Sequence, residues 1–271
     1  MASGPLAPGD EVVRERVEAN LEAVRERIAA ACRQAGRTAD NVTLVAVTKY
    51  VSADVTRLVL EAGCRDLAES RPQSLWDKAL ALAGVAPAAR WHLVGHLQRN
   101  KIRRTLPLLG VLQSLDSIRL LEAIAADALK PADALKPADA LKPADALKPA
   151  DAGRETTGCD VLVEVNLTDD PGRSGAMPAD VPALVAAAAA SRGVRLRGLM
   201  GMAGRPDADA ADARRDFARL RALRDNLAAT LADPTMLRDL SMGMSGDFEA
   251  AILEGSTLVR IGSALFEGIA R

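Results

Sequence analysis

Apolar residues recur at spacings of three and four from Glu11 to Gln34, at Val13, Val17, Leu21, Val24 and Ile28. That period puts them on one helical face, and Gly36 is a suitable stop. The pattern then changes. Strand-like apolar runs cover Val42–Thr48, Arg65–Ala68, Trp91–Gly95, Val111–Ser114, Val161–Asn166, Leu196–Met200, Leu240–Ser241 and Leu258–Ile261. Helix-like segments separate them at Ala53–Ala62, Gln73–Leu82, Asn100–Leu108, Ile118–Ala126, Ala179–Ser191, Ala211–Leu231 and Phe248–Leu253. Several strands are apolar at successive positions, as a parallel sheet covered on both faces requires. The alternation predicts an α/β fold, a single (β/α)8 TIM-type barrel with an extra N-terminal helix, spanning residues 1–271 as one domain. An open doubly wound sheet is the competing architecture. If it bound a dinucleotide it would carry a glycine-rich first turn, and the turn after Val42–Thr48 has no glycine.

One segment breaks the rhythm. Residues 127–150 are four copies of Asp-Ala-Leu-Lys-Pro-Ala, followed by Asp151-Ala152. A proline every six residues removes amide donors and blocks a continuous helix. Asp and Lys are equal in number in the four copies, so the segment carries little net field. The stretch 127–152 is expected to be a low-complexity repeat insertion, solvated, between the fourth helix and the fifth strand.

Composition narrows the function. Hydrophobic residues make up 49% of the chain and aromatics 2%, so the core must be aliphatic. Net charge is −1 with acids and bases intermixed, which argues against a nucleic-acid partner. Cys32, Cys64 and Cys159 are odd in number and far apart, which suits a reducing cytoplasm and excludes a disulfide framework. Met1 to Asp10 has no basic-then-apolar signal pattern, and the apolar stretch around Val181 to Ala190 is too short to span a bilayer. The expected protein is cytoplasmic, with no membrane partner.

Candidate chemistry begins at Lys49. The chain has 28 Arg and 7 Lys, and four of those Lys lie in the repeat. Where a fixed positive charge suffices, this sequence writes Arg. A Lys at the mouth of a buried strand therefore points to amine chemistry, because a desolvated amine can lose its proton and attack a carbonyl. The competing reading is a lysine reaching from a strand end to solvent.

Other strand ends add Glu69-Ser70, His96, Ser114 to Asp116, Asn166 and Met200-Gly201. After the seventh strand comes Ser241-Met242-Gly243-Met244-Ser245-Gly246-Asp247, and after the eighth Arg260-Ile261-Gly262-Ser263. Small residues let backbone amides approach an anion, Ser hydroxyls donate to it, and a helix starting near Asp247 would add its positive end. These loops are the usual phosphate seat of barrels. Alternatively, Asp247 only caps a helix and the glycines serve tight turns. A phosphate seat facing a reactive lysine implies a phosphorylated aldehyde, with pyridoxal 5'-phosphate (PLP) the leading candidate. His92 and His96, the two histidines, make a poor metal site without a third ligand. His92 reads as a packed or hydrogen-bonded core residue, and Met242 and Met244 as packing under the phosphate loop.

The motifs Leu44-Val45-Ala46-Val47-Thr48-Lys49, Trp91-His92-Leu93-Val94-Gly95-His96-Leu97-Gln98, Val163-Glu164-Val165-Asn166, Arg197-Gly198-Leu199-Met200, Leu240-Ser241-Met242-Gly243-Met244-Ser245 and Val259-Arg260-Ile261-Gly262 run in order over nearly the whole chain. With them the sequence resembles the PLP homeostasis protein family (YggS/PROSC), which is itself similar to the barrel domain of the fold type III alanine racemases. The resemblance implies that Lys49 carries the PLP aldimine, that Ser245, Gly262 and Ser263 bind the phosphate, and that Arg260 faces the pyridine nitrogen. Ser70 and His96 are weaker additions to the same pocket. It also implies a monomeric, non-catalytic holder of PLP acting in intracellular PLP homeostasis, with PLP-dependent apoenzymes as partners. The alternative is a PLP-dependent amino-acid racemase. Racemisation needs a second acid–base group opposite the lysine. This chain has one tyrosine, Tyr50, adjacent to Lys49, and eight residues after Ser263, too few for the racemases' second domain. The chain departs from the family at Ser70, where Asn is frequent, at Ser263, where Thr is common, at Tyr50, where a small polar residue is usual, and in the repeat.

Overall fold

A computed structural model describes residues 8–85, 88–128, 158–168, 170, 172–204 and 210–269. The first residues of the chain and all of the predicted insertion after Ala128 lie outside the described residues. Eight parallel strands close into a barrel in sequence order. They are β1 (Thr43–Val47), β2 (Asp66–Glu69), β3 (Arg90–Leu93), β4 (Val111–Leu115), β5 (Cys159–Val165), β6 (Val194–Gly201), β7 (Asp239–Ser241) and β8 (Leu258–Ile261). The open doubly wound sheet is thereby excluded, since β1 pairs with β8 through Thr43↔Leu258, Leu44↔Val259, Val45↔Arg260 and Ala46↔Ile261.

The helices are α1 (Pro8–Gln34), α2 (Ala53–Glu61), α3 (Pro72–Ala81), α4 (Ile102–Thr105), α5 (Ile118–Ala128), α6 (Val181–Ala190), α7 (Ala210–Ala228) and α8 (Phe248–Leu253). The extra helix α1 buries Val17, Leu21, Val24 and Ile28, the predicted stripe, together with Cys32, and packs against α2 and α8. It stops where expected. Gly36 takes a φ of 67°, and the Arg37 amide closes on the Cys32 carbonyl at 2.8 Å. Most of the apolar core lies between the sheet and its helices. Among the described residues, two small apolar groups lie inside the barrel, Val45 with Ala68 and Leu258, and Val111 with Leu162 and Met200. The rest of the lumen is polar, with His92, Gln113, Ser241 and Arg260 all buried.

Two elements differ from the sequence pattern for physical reasons that the structure shows. The predicted helix Asn100–Leu108 is broken into a 3-10 turn at Arg99–Lys101, the single turn α4, and a second 3-10 turn at Leu106–Leu108. Pro107 has no amide to continue the ladder, and Thr105 Oγ1 donates back to the Lys101 carbonyl at 2.7 Å while accepting from Trp76 Nε1. Strand β6 starts two residues early because Arg195 is polar in sequence yet anchored, as is Arg197 within the predicted run. Their Nε groups reach Asp160 Oδ1 at 2.7 and 3.1 Å, and Arg90 holds Asp160 Oδ2 at 3.2 Å. The 3-10 turns Ala39–Asn41 and Pro234–Leu237 are absent from the sequence reading.

Gly198 shows how tightly the sheet closes. The register of β5 on β6 shifts between Val161↔Leu196 and Leu162↔Gly198, and β7 presses on the same point. A Cβ at Gly198 would lie 1.8 Å from the Asp239 carbonyl oxygen. Gly198→Ala must therefore part β6 from β7, and should lower the unfolding free energy by roughly 2 kcal/mol or more in a urea titration. A midpoint equal to that of the natural chain would contradict this packing.

Candidate functional site

Side chains of a strand alternate between faces. In β1 the inward positions are Val45 and Val47, and Lys49 follows two residues on. In β8 the register pairs Val45 with Arg260, so these side chains share the lumen. The ends of β1 and β8 therefore meet at the C-terminal mouth, where a cavity of about 370 Å³ opens. That is within the roughly 300–1,000 Å³ of small-ligand sites. Lys49, Ser70, Ser245, Arg260, Gly262 and Ser263 line it, with Val47, Tyr50, Val94, Met200, Met202, Met244, Gly246 and Phe266.

Of the seven residues that the sequence assigned to the PLP pocket, His96 is the one outside this lining. Its imidazole is exposed, with Nδ1 3.7 Å from Asp116 Oδ2. His92 faces the lumen below the cavity, fully buried and hydrogen-bonded, as its core reading required. Met242 is buried as packing, but Met244 is half-exposed and forms cavity wall. Met202 and Phe266 were missed. Nothing in their local sequence separates a wall residue from ordinary core; only the closed sheet brings them to the mouth.

The lysine end has a buried support. Lys78 Nζ donates to the Thr48 carbonyl at 2.7 Å and to Glu69 Oε1 at 2.6 Å. Thr48 Oγ1 donates to the same carboxylate oxygen at 2.7 Å. Thr48 and Glu69 are fully buried and Lys78 nearly so. The backbone preceding Lys49 is thus clamped by an ion pair out of water. Lys49 itself is exposed into the cavity mouth, with Nζ 4.8 Å from the Tyr50 ring centroid. Ser70 is positioned by Gly95, where an added Cβ would lie 2.2 Å from the Ser70 carbonyl oxygen. Glu69 and Asp116 do not form an acid–base pair, since Asp116 faces His96 and Ser117.

The opposite wall is an amide cradle. Ser245 Oγ accepts from the Gly262 and Ala264 amides, each at 3.3 Å. These are long bonds, and an anionic oxygen would accept from the same amides more strongly. Beside them Gly246 has no heavy atom within 4 Å of where a Cβ would stand, so the cradle is open on that side. Asp247 does not cap α8. Its carboxylate turns back to accept the Met244 amide at 2.6 Å, which fixes the loop.

Arg260 forms the cavity floor. Nη1 donates to the Ser241 carbonyl at 2.8 Å and to Ser241 Oγ at 2.7 Å, and Nη2 to the Gly201 carbonyl at 2.9 Å. Burial pulls its pKa down to about 10, against the opposing fields of Glu164 and Asp247, so it remains a cation at neutral pH. Burial raises the Glu164 carboxyl above its usual range, although Ser174 donates to it at 2.6 Å. Asp247 is likewise raised by burial. A fixed cation, three Ser hydroxyls, the backbone of Gly262 and a primary amine on one cavity can receive a small anionic carbonyl compound.

Comparison with known proteins follows the same lines. The family described as alanine racemase, N-terminal domain, matches residues 19–269. The chain is 37% identical to a pyridoxal phosphate homeostasis protein of Pseudomonas aeruginosa, over 91% of this chain and 93% of that protein. Its structure is similar to that of an unknown protein from Bifidobacterium adolescentis, with a TM-score of 0.79, 34% identity and coverage of 98% and 99%. It is also similar to PipY of Synechococcus elongatus PCC7942 with PLP bound, with a TM-score of 0.72, 28% identity and coverage of 92% and 99%.

The buried clamp gives a stability prediction. Lys78→Met leaves the Glu69 carboxylate buried and unpaired, and should cost roughly 3–5 kcal/mol by chemical denaturation. Adding Glu69→Gln to that variant should recover part of the loss, because the uncompensated charge is gone. Equal stability of Lys78→Met and the natural chain would show that the pair is not buried as described.

Proposed function

From the premise that this chain belongs to the pyridoxal phosphate homeostasis protein family, we propose that it binds PLP and holds it covalently on Lys49 without catalytic turnover. The observation that carries this reading is that Lys49, Arg260, Ser245, Gly262 and Ser263, drawn from the ends of β1, β7 and β8, line one cavity. PLP supplies an aldehyde that condenses with a neutral primary amine, losing water. Lys49 offers the amine at the mouth. The amides of Gly262 and Ala264, with the hydroxyls of Ser245 and Ser263, receive the phosphate. Ser70 lines the same cavity and can donate or accept through its hydroxyl. Arg260 stands on the floor as a permanent donor, and its charge opposes protonation of a neighbouring pyridine nitrogen. A ring held unprotonated is a weak electron sink, which suits retention over carbanion chemistry. His96 is not part of this site.

A racemase would require a second acid–base group across the cofactor from the lysine. Tyr50 is the sole tyrosine, and its ring lies beside Lys49 Nζ at 4.8 Å, on the amine's own side. The carrier reading is therefore preferred, with a monomer that delivers PLP to apoenzymes in the cytoplasm. Three free cysteines among the described residues fit a reducing compartment, and no helix of the described residues is long and apolar enough to cross a membrane.

Borohydride treatment of the PLP-loaded protein, followed by peptide mapping, should place the pyridoxyl group on Lys49 and on neither Lys78 nor Lys101. A label on another lysine overturns the site. Incubating the loaded protein with L-amino acids in deuterated water should give no sustained D-product or Cα exchange. Sustained turnover would reassign the protein as a racemase.

A further inference from the structure

Arg260 is one end of a hydrogen-bonded chain that runs down through the barrel. Its Nη1 donates to Ser241 Oγ at 2.7 Å. Ser241 Oγ donates across the lumen to Gln113 Oε1 at 2.7 Å. Gln113 Nε2 lies 2.8 Å from His92 Nδ1, and His92 Nε2 lies 2.9 Å from Asp66 Oδ1. The links climb the sheet diagonally, from the first residue of β2 through β3 and β4, then across to β7 and β8. Ser241, Gln113 and His92 are each completely buried.

With the Gln113 carbonyl toward Ser241 and its amide toward His92, the direction of every link follows. A guanidinium can only donate and a carboxylate can only accept. Ser241 Oγ accepts from Arg260 and donates to the Gln113 carbonyl, and the Gln113 amide points toward β3. His92 Nδ1 must then be a bare acceptor, and Nε2 must carry the single ring proton. A second proton on Nδ1 would meet the Gln113 amide head-on. Burial holds the His92 imidazole below its ordinary pKa, with Asp66 opposing and Arg90 assisting that shift, so the neutral form that the chain requires is also the form the lumen favours. Asp66 is anchored in turn, 3.7 Å from Arg90, which also holds Asp160.

We infer that Gln113 and His92 are positioning residues for Arg260. Acting through Ser241, they fix where the guanidinium stands under the ligand. The inference rests on the reading that Arg260 contacts PLP. An apolar lumen of equal volume would leave the Ser241 hydroxyl free to turn away, and Arg260 would keep only two backbone carbonyls. Neither residue lines the cavity, so their influence on a ligand must pass through Arg260.

The first test needs no ligand. In nitrogen-15 NMR of the ligand-free protein at neutral pH, His92 should show an unprotonated Nδ1 and a protonated Nε2. A protonated Nδ1 overturns the inference directly. The second test compares variants by PLP affinity and by the nitrogen-15 shift of labelled PLP's pyridine nitrogen. Gln113→Leu breaks both links, and should weaken PLP binding by roughly tenfold and move the pyridine shift. Gln113→Glu keeps the acceptor for Ser241 and shifts the change to His92, which takes a second proton, so its PLP affinity should stay within about threefold of the natural chain. Should Gln113→Leu fail to fold, Ser241→Ala removes one buried oxygen from the same chain and should move the pyridine shift in the same sense. A folded Gln113→Leu or Ser241→Ala with natural affinity and shift defeats the relay. Arg260→Gln separates the two readings. If it leaves PLP binding and the pyridine shift untouched, the assignment of Arg260 to the site fails. If it disturbs them while the relay variants do not, only the relay fails.

Discussion

The pairing of the first strand with the last is the constraint on which the rest depends. Val45 opposite Arg260 and Ala46 opposite Ile261 close the barrel. The same register carries Lys49, just past β1, to the mouth where Gly262 and Ser263 leave β8. In sequence these residues are more than two hundred positions apart. Without closure the amine and the amide cradle would be separate features of an open sheet edge. With it they line one cavity. Close contact around the sheet, seen where the Asp239 carbonyl leaves no room for a Cβ at Gly198, keeps that register from slipping.

Closure also buries polar groups on both faces of the sheet, and the structure meets most of the desolvation cost with partners. Arg260 spends its donors on Ser241 and Gly201. Lys78 and Glu69 neutralise each other under Thr48. Asp160 at the lower rim gathers Arg90, Arg195 and Arg197. The division of labour between lysine and arginine follows. Arginine supplies permanent charge with several directed donors, while a lysine at the mouth offers a single primary amine. One oxygen, Glu69 Oε2, is buried without a hydrogen-bond partner; nothing in the structure explains it.

Much of this was legible in the chain. The alternation of apolar runs and amphipathic segments gave the barrel, and the stripe from Val17 to Ile28 gave the extra helix, because burial on both faces of a parallel strand leaves a continuous apolar signature. Lys49, Ser245, Arg260, Gly262 and Ser263 were found because strand ends are polar where strands are not. What stayed hidden depends on partners distant in sequence. Gln113 reads as a stray polar residue in β4 until β7 is seen across the lumen. Arg195 disguises the start of β6 until Asp160 is placed. His96, at a strand end like the others, turns out toward Asp116 because a strand end alone does not set side-chain direction. Asp247 looked like a helix cap and instead binds back to Met244.

The central claim is that one small molecule bridges the amine after β1 and the amides after β8. Its most direct test is a crystal structure of the protein soaked with PLP. The account predicts continuous electron density from Lys49 Nζ to the cofactor, with the phosphate against the Gly262 and Ala264 amides and the ring nitrogen toward Arg260. Density for PLP elsewhere, with Lys49 extended into solvent and no ligand at the cradle, would contradict it.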